Sequence, residues 1–172
     1  MLAVVLAMPY QQLLPIYVDD ILKVGAKGMG FLLSVCGVGA LVSSIALASL
    51  PNKKRGLFML VSGIILSIAL IVFAFSRLWA LSLVCMIFIG VGQTLRGTVG
   101  GAMAQSYTEP AYMGRVMSIM MMQWGFMSLC TFFAGVLAEI MPVQWVIGGF
   151  AALLGLVTLY FTIALPKIRQ LD

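Results

Sequence analysis

The stretch MPYQQLLPIYVDD, residues 8–20, sets two glutamines between two prolines, and no charged residue precedes it in the chain. A proline inside a helix removes one backbone hydrogen bond and bends the helix. Membrane-spanning helices tolerate such a bend where neighbouring helices, polar side chains or cavity water satisfy the freed carbonyl groups. Gln11 and Gln12 therefore indicate a membrane-spanning helix with one face toward a polar cavity.

The composition of the whole chain agrees with a membrane location. Hydrophobic residues make up 63% of the 172 residues, charged residues make up 9%, and the mean hydropathy is +1.15. Soluble domains usually carry about 25% charged residues. Six long runs lack any charge, and each approaches the roughly 20 apolar residues that cross a bilayer. These runs are 1–18, 28–52, 56–76, 78–95, 116–138 and 140–166.

We predict an all-α integral membrane protein in which residues 1–172 form one bundle of six transmembrane helices. The fourth helix continues past Arg96, because the sequence stays largely apolar beyond this residue. The predicted spans are about 1–18, 28–50, 57–76, 78–105, 116–140 and 143–165.

The distribution of Lys and Arg predicts the orientation, because cytoplasmic loops carry an excess of these residues. The second loop, the fourth loop and the tail hold six of them, whereas the first and third loops hold three and the fifth holds none. Both termini are therefore predicted to be cytoplasmic. Trp79 and Trp145 then fall at the outer ends of their helices, where indole rings favour the membrane interface.

Several functional classes are disfavoured by what the chain lacks. It contains no histidine and no carboxylate inside the apolar runs, so the usual acid, base and nucleophile groups cannot be assembled. Its three cysteines form no CxxC pair. We therefore predict no enzyme activity, no metal and no cofactor. The net charge of +5 is explained by cytoplasmic loops, so no nucleic-acid partner is expected.

Polar and small residues share one face of the fourth predicted helix. Gln93, Arg96, Gly97 and Gly100 recur at helical spacing, and such a face in a membrane usually meets the protein interior or a water-filled cavity. Two interpretations of Arg96 stay open, a place in a cavity or a side chain that snorkels to the inner headgroups. The GxxxG of Gly97 and Gly101 favours tight packing within the bundle over a dimer interface.

Beside Gln123 and Trp124, the fifth predicted helix carries a methionine cluster formed by Met117, Met120, Met121, Met122 and Met127. Thioether side chains repack easily and could line a site for varied lipophilic ligands. The other explanation is that these methionines contact lipid or the protein core, because adjacent methionines point in all directions around a helix.

Four motifs in this order resemble one family: MPYQQLLPIYVDDILKVGAKGMGFLLSVCGVGALVSSIAL, GVGQTL, GRVMSIMMMQWG and FFAGVLAEI. Together they look like the second six-helix half of a major facilitator superfamily transporter with twelve helices. They are most similar to the bacterial branch that includes enterobactin exporter-like and macrolide-efflux-like proteins. The resemblance covers essentially the whole chain.

The resemblance implies secondary active export of small lipophilic or siderophore-like compounds across a bacterial plasma membrane by alternating access. It implies a complementary N-terminal six-helix half as partner, beside the lipid bilayer and the small-molecule substrate. It places Tyr10, Gln11 and Gln12 on the cavity face of the first helix and Gln93 on that of the fourth. With Arg96 and Gln123, these residues form the predicted substrate cavity.

The resemblance also implies cytoplasmic gate loops, formed by Lys53, Lys54 and Arg55 on one side and Arg115 on the other. Two departures from the family pattern concern this gate and the cavity. Pro51 and Asn52 occupy a loop in which an Asp is common, and Arg96 stands where an apolar residue is more usual.

Two alternatives to the export hypothesis remain. The chain begins directly with MLAVVLAM, without flanking Lys or Arg, which fits a truncated or structural membrane module with no transport activity of its own. A homodimer of the chain would also supply twelve helices, but it would pair two copies of one half and is the least favoured arrangement.

Overall fold

A computed structural model describes residues 7–49, 55–106 and 108–164 of the chain. A short first helix, α1, continues into one π-helical turn, and five longer helices follow. Their bounds are α1 Pro9–Tyr17, the π turn Val18–Leu22, α2 Gly25–Ser49, α3 Arg55–Phe75, α4 Trp79–Ser106, α5 Met113–Ile140 and α6 Val143–Ala164. One 3₁₀ turn, Pro110–Tyr112, precedes α5.

The long helices have the length and composition needed to cross a membrane. Five of them, α2 to α6, contain an apolar segment of spanning length. The secondary structure of the described residues is helical without a strand, as predicted for an all-α membrane protein. The first predicted span, 1–18, lies partly outside the described residues, and its described part forms α1.

The first helix does not end where the charged residues begin. Pro15 lies inside α1, and the π turn makes Asp19 and Asp20 helical, although the sequence predicted a loop there. Proline and π turns are both recognised causes of helix bending. The chain leaves this turn through Lys23, which has a left-handed φ of 52°, and α2 begins at Gly25.

Aromatic contacts mark one end of the bundle, which we name the tryptophan end after Trp79 and Trp145. Trp79 begins α4 and lies 6.4 Å from the Phe31 ring of α2, between ring centroids. Trp145, in the first turn of α6, meets Phe75 of α3 edge-on at 5.6 Å. The starts of α2, α4 and α6 and the ends of α3 and α5 therefore lie at the same end.

Tyr17 fastens α1 to the tryptophan end of α3. Its side chain is fully buried, and its hydroxyl lies 2.5 Å from the carbonyl oxygens of Phe73 and Ser76. One phenol proton is thus shared by two carbonyls at the end of α3, where the Phe73 carbonyl also accepts a hydrogen bond from the Ser76 backbone N–H over 3.1 Å. The Tyr17 and Phe73 rings also pack at 4.6 Å between centroids.

Helices α2 and α4 pack backbone to backbone through glycine. A Cβ added at Gly39 would overlap the Ile87 carbonyl, and one added at Gly90 would overlap the Cys36 carbonyl. Small residues allow this close approach in membranes, where packing and hydrogen bonds replace the hydrophobic effect between helices. The tight packing predicted for Gly97 and Gly101 is not seen among the described residues, because a Cβ at either would meet no described atom within 4 Å.

Helix α3 lies at the centre of the bundle, and α5 lies at its edge. Half of the residues in the spanning segment of α3 are buried, against 6% in that of α5. Helix α3 packs on α4 and α6, and the Ser67 hydroxyl of α3 donates a 2.9 Å hydrogen bond to the Ala151 carbonyl of α6. Ala134 is the buried residue of α5, which touches α1 and α6 sparsely.

Candidate functional site

A hydrogen bond between α1 and α4 brings together two residues predicted for the cavity. The Gln93 side-chain amide donates to the Tyr10 hydroxyl over 3.1 Å, although the residues lie 83 positions apart. Tyr10 is 3% exposed and Gln93 is half-buried. Cys36 of α2 also interacts with the Tyr10 hydroxyl. Three helices therefore meet at one phenol group.

The two glutamines that follow Tyr10 have different surroundings. Gln11 is half-buried and interacts with the Tyr10 hydroxyl, whereas Gln12 is exposed on the outside of the described bundle. Successive helical residues differ by about 100° in direction, so the two side chains do not share a face. Pro15 has no N–H to donate to the Gln11 carbonyl, its normal helical partner. The structure groups Gln11 with Tyr10 and Gln93 but does not bring Gln12 to them.

Arg96 lies on α4 one turn beyond Gln93, away from the tryptophan end. It is 9% exposed, and its Nε and Nη1 atoms are buried without a hydrogen-bond partner. The protein itself covers the side chain, which favours the cavity interpretation over snorkelling to headgroups. A buried cation with unsatisfied donors is costly unless an anion or polar group meets it.

No described residue covers the glycines of α4 that follow Arg96. A Cβ added at Gly97, Gly100 or Gly101 would meet no described atom within 4 Å. Gly92, nearer the tryptophan end of the same helix, would press its Cβ against Leu66 of α3. Among the described residues, α4 is thus tightly packed toward Trp79 and has open space beside the glycines that follow Arg96.

Gln123, the remaining predicted cavity residue, stands apart from this cluster. It is half-buried on α5, and no hydrogen bond joins its amide to another residue in the described ranges. Its neighbours Met121, Met122 and Trp124 are all more than half exposed. The structure therefore leaves a ligand site at the methionine cluster as a prediction.

The predicted gate residues are only partly covered by the structure. Lys53 and Lys54 lie outside the described residues, and Arg55 is the first residue of α3. Arg115 lies in the first turn of α5 and not in the preceding loop. Its guanidinium carbon sits 5.7 Å from the centre of the Tyr112 ring, within the range of a cation–π contact.

A polar cavity at the tryptophan end was not predicted. Its volume is about 340 Å³, and its walls carry the charged side chains of Asp20, Lys23 and Arg77 together with Gln144 of α6. Sequence reasoning assigned these residues to separate loops. The regular alternation of loops between the two ends of the bundle was the signal that could have grouped them.

Five helices of membrane-spanning length and a buried polar cluster between α1 and α4 define a multi-pass membrane protein. The family model described as Major Facilitator Superfamily matches residues 2–171. The chain belongs to this family of membrane transporters, as its motifs predicted. Comparison with curated proteins finds no match, and comparison with solved structures finds none either.

Proposed function

We propose that the chain is the C-terminal six-helix half of a secondary active exporter of the enterobactin exporter-like and macrolide-efflux-like branch. Its substrates are small lipophilic or siderophore-like compounds, moved by alternating access between two six-helix halves. The protein resides in a bacterial plasma membrane with both termini in the cytoplasm. A complementary N-terminal half is its protein partner.

The Tyr10–Gln93 hydrogen bond is the observation that carries this proposal. Gln93 lies about 21 Å along α4 from Trp79, at a rise of 1.5 Å per residue. This depth is well inside a hydrocarbon layer about 30 Å thick. Polar groups at such a depth usually face a substrate or ion pathway, because lipid cannot satisfy them.

The exposed faces of α2 and α5 support a partner half. Both helices are long enough to span the membrane, yet 17% and 6% of their spanning segments are buried within the chain. The exposed side of α2 includes Gly30, Ser34 and Gly37. Small residues of this kind allow another helix to approach closely.

Transport by the full chain is the direct test. The chain is expressed in an efflux-deficient bacterium, alone and together with the N-terminal half of a related superfamily member. Inverted membrane vesicles are then energised, and accumulation of the lipophilic dye Hoechst 33342 is followed by fluorescence. We expect the pair of halves to accumulate the dye and Gln93→Leu to reduce the initial rate by roughly 10-fold, because the polar contact is lost.

Gln105→Leu is the matched control, since Gln105 is exposed at the other end of the same helix. It is expected to keep the wild-type rate. Vesicles that contain both halves in folded form but accumulate no dye would contradict the proposal. That result would favour a membrane module without transport activity.

A further inference from the structure

Arg96 carries a buried positive charge that the proposed transport function does not explain. Its side chain is 9% exposed, and two of its nitrogen atoms are buried without a hydrogen-bond partner. Buried guanidinium groups in folded proteins are normally paired with a carboxylate or another anion. The buried Arg96 nitrogen atoms therefore need an anion or another acceptor for their hydrogen bonds.

The described residues of the chain offer no such counter-charge near Arg96. Asp19 and Asp20 lie in the π turn at the tryptophan end, and Glu139 lies in the last turn of α5 at that same end. Glu109 follows the opposite end of α4, about 15 Å or more from Arg96 along the helix axis. The anion that pairs with Arg96 must therefore come from outside this set of carboxylates.

Among the described residues, the α4 backbone next to Arg96 has open space beside it. Gly97 and Gly100 lie next to it and one turn further along α4, and no described atom lies within 4 Å of a Cβ built on either. Glycine at these positions lets a ligand approach the helix backbone. Gln93, one turn in the other direction on α4, adds a polar amide, which donates to the Tyr10 hydroxyl.

We propose that Arg96 is the anion-binding residue of the substrate site, so that the transported compounds include small amphiphilic anions. An apolar or aromatic body of the substrate would lie against Gly97 and Gly100, and its carboxylate or similar anionic group would accept hydrogen bonds from the guanidinium. This inference rests on the proposed transport function and specifies one chemical class among its substrates. Charge-assisted hydrogen bonds from arginine are strong and selective for planar anions.

Binding of a matched pair of probes tests the assignment. The full chain is reconstituted in lipid nanodiscs, and binding of salicylate and of its neutral analogue salicylamide is measured by equilibrium dialysis with labelled compounds. We expect salicylate to bind at least 10-fold more tightly than salicylamide, since a charged hydrogen bond contributes about one to two powers of ten in affinity.

Three variants assign the preference to one residue. Arg96→Gln is expected to lose the preference for salicylate, and Arg96→Lys is expected to keep it within a few-fold. Lys27→Gln removes the same charge from an exposed position in the first turn of α2 and is expected to change nothing. Arg96→Gln should also be at least as resistant to thermal unfolding as the wild type, because it removes an unpaired buried charge.

The same dialysis on the chain paired with a related N-terminal half separates the two possible sources of the anion. Salicylate that binds the pair through Arg96 supports a substrate anion. Salicylate that binds the chain alone but not the pair would show that a protein carboxylate occupies the guanidinium, and would overturn the proposal. Equal binding of both probes, or an unchanged preference in Arg96→Gln, would also overturn it.

The salicylate-binding experiment and the dye-transport experiment can fail independently of each other. Dye transport together with Arg96-independent salicylate binding would leave the exporter proposal standing and remove the anion site. Arg96-dependent binding without dye transport would support the site and contradict export of lipophilic compounds that lack an anionic group.

Discussion

Glycine serves two different purposes along α4. At Gly90 the α4 backbone touches the backbone of α2, where an added Cβ would overlap the Cys36 carbonyl and come close to the Ala40 nitrogen. At Gly97 an added Cβ would meet no described atom within 4 Å. The same residue type therefore permits close helix packing at one position and leaves open space at the other.

Alanine substitution at these two glycines separates the two purposes. Gly90→Ala should destabilise the chain by about 2 kcal/mol, because the added methyl group would clash with the α2 backbone and the two helices would have to move apart. Gly97→Ala should be neutral or stabilising by up to about 1 kcal/mol, because alanine favours helix and meets no obstacle. The fraction of folded protein across an SDS titration in mixed micelles measures both effects.

Equal stability of the two alanine variants would show that α2 and α4 do not pack at Gly90 as described. The comparison is controlled internally, because both variants add one methyl group to the same helix. Helix propensity is therefore matched, and the difference between them reports the contact with α2.

At the scale of the helices, α5 differs from its neighbours in how little of it the chain covers. Its 28 residues are apolar enough to span a membrane, but 6% of its spanning segment is buried. Association of helices in lipid depends on packing contacts and interhelical hydrogen bonds, so a helix with few contacts is weakly held. The position of α5 should therefore vary more than that of α2, which packs on α4 through glycine.

Distances between spin labels test this difference in the chain alone, reconstituted in nanodiscs with its native cysteines replaced by alanine. One labelled pair, Ile45→Cys and Phe88→Cys, spans α2 and α4. The other, Ile68→Cys and Leu129→Cys, spans α3 and α5. All four positions are exposed, so labels there should not disturb the packing. We expect a narrow distance distribution for the first pair and a distribution at least twice as broad for the second.

Two equally narrow distributions would show that α5 is held firmly by contacts within this chain. Spin labels at exposed positions have similar rotamer freedom on all four helices. The α2–α4 pair therefore serves as the control for motion of the label itself.

The contrast between α2 and α5 also shows what the sequence could predict about the fold. Charged residues interrupt the apolar runs, and this pattern predicted where membrane-spanning helices lie, because lipid excludes charge. The pattern could not predict which helices pack together, since lipid-facing and protein-facing positions are both apolar. It also does not predict the π turn, because charged residues such as Asp19 and Asp20 indicate the end of a membrane-spanning helix.

The sequence predicted the candidate site in part, as it did the fold. Polar residues inside apolar runs drew attention to Tyr10, Gln93 and Arg96, and the structure joins the first two by a hydrogen bond. The burial of Arg96 could not be read from spacing, because a cavity position and a snorkelling position follow the same helical period. Gln12 and Gln123 carry the same amide group as Gln93, but their positions on α1 and α5 keep them outside the described cluster.

At the scale of the whole molecule, the distribution of Lys and Arg predicts that the tryptophan end faces outward and both termini face the cytoplasm. Glu109 lies between α4 and α5 at the end opposite the tryptophans, and Pro142 lies between α5 and α6 at the tryptophan end. Both residues are exposed.

In a cysteine-free background, Pro142→Cys in intact cells should react with a membrane-impermeant maleimide, whereas Glu109→Cys should react only in inverted vesicles or after permeabilisation. Neither substitution changes the count of basic residues that sets the orientation, and each variant is the control for the other. The reverse labelling pattern would place the basic loops outside, contrary to the charge rule, and would put Arg96 in the outer half of the membrane, where an anionic substrate would reach it from outside the cell.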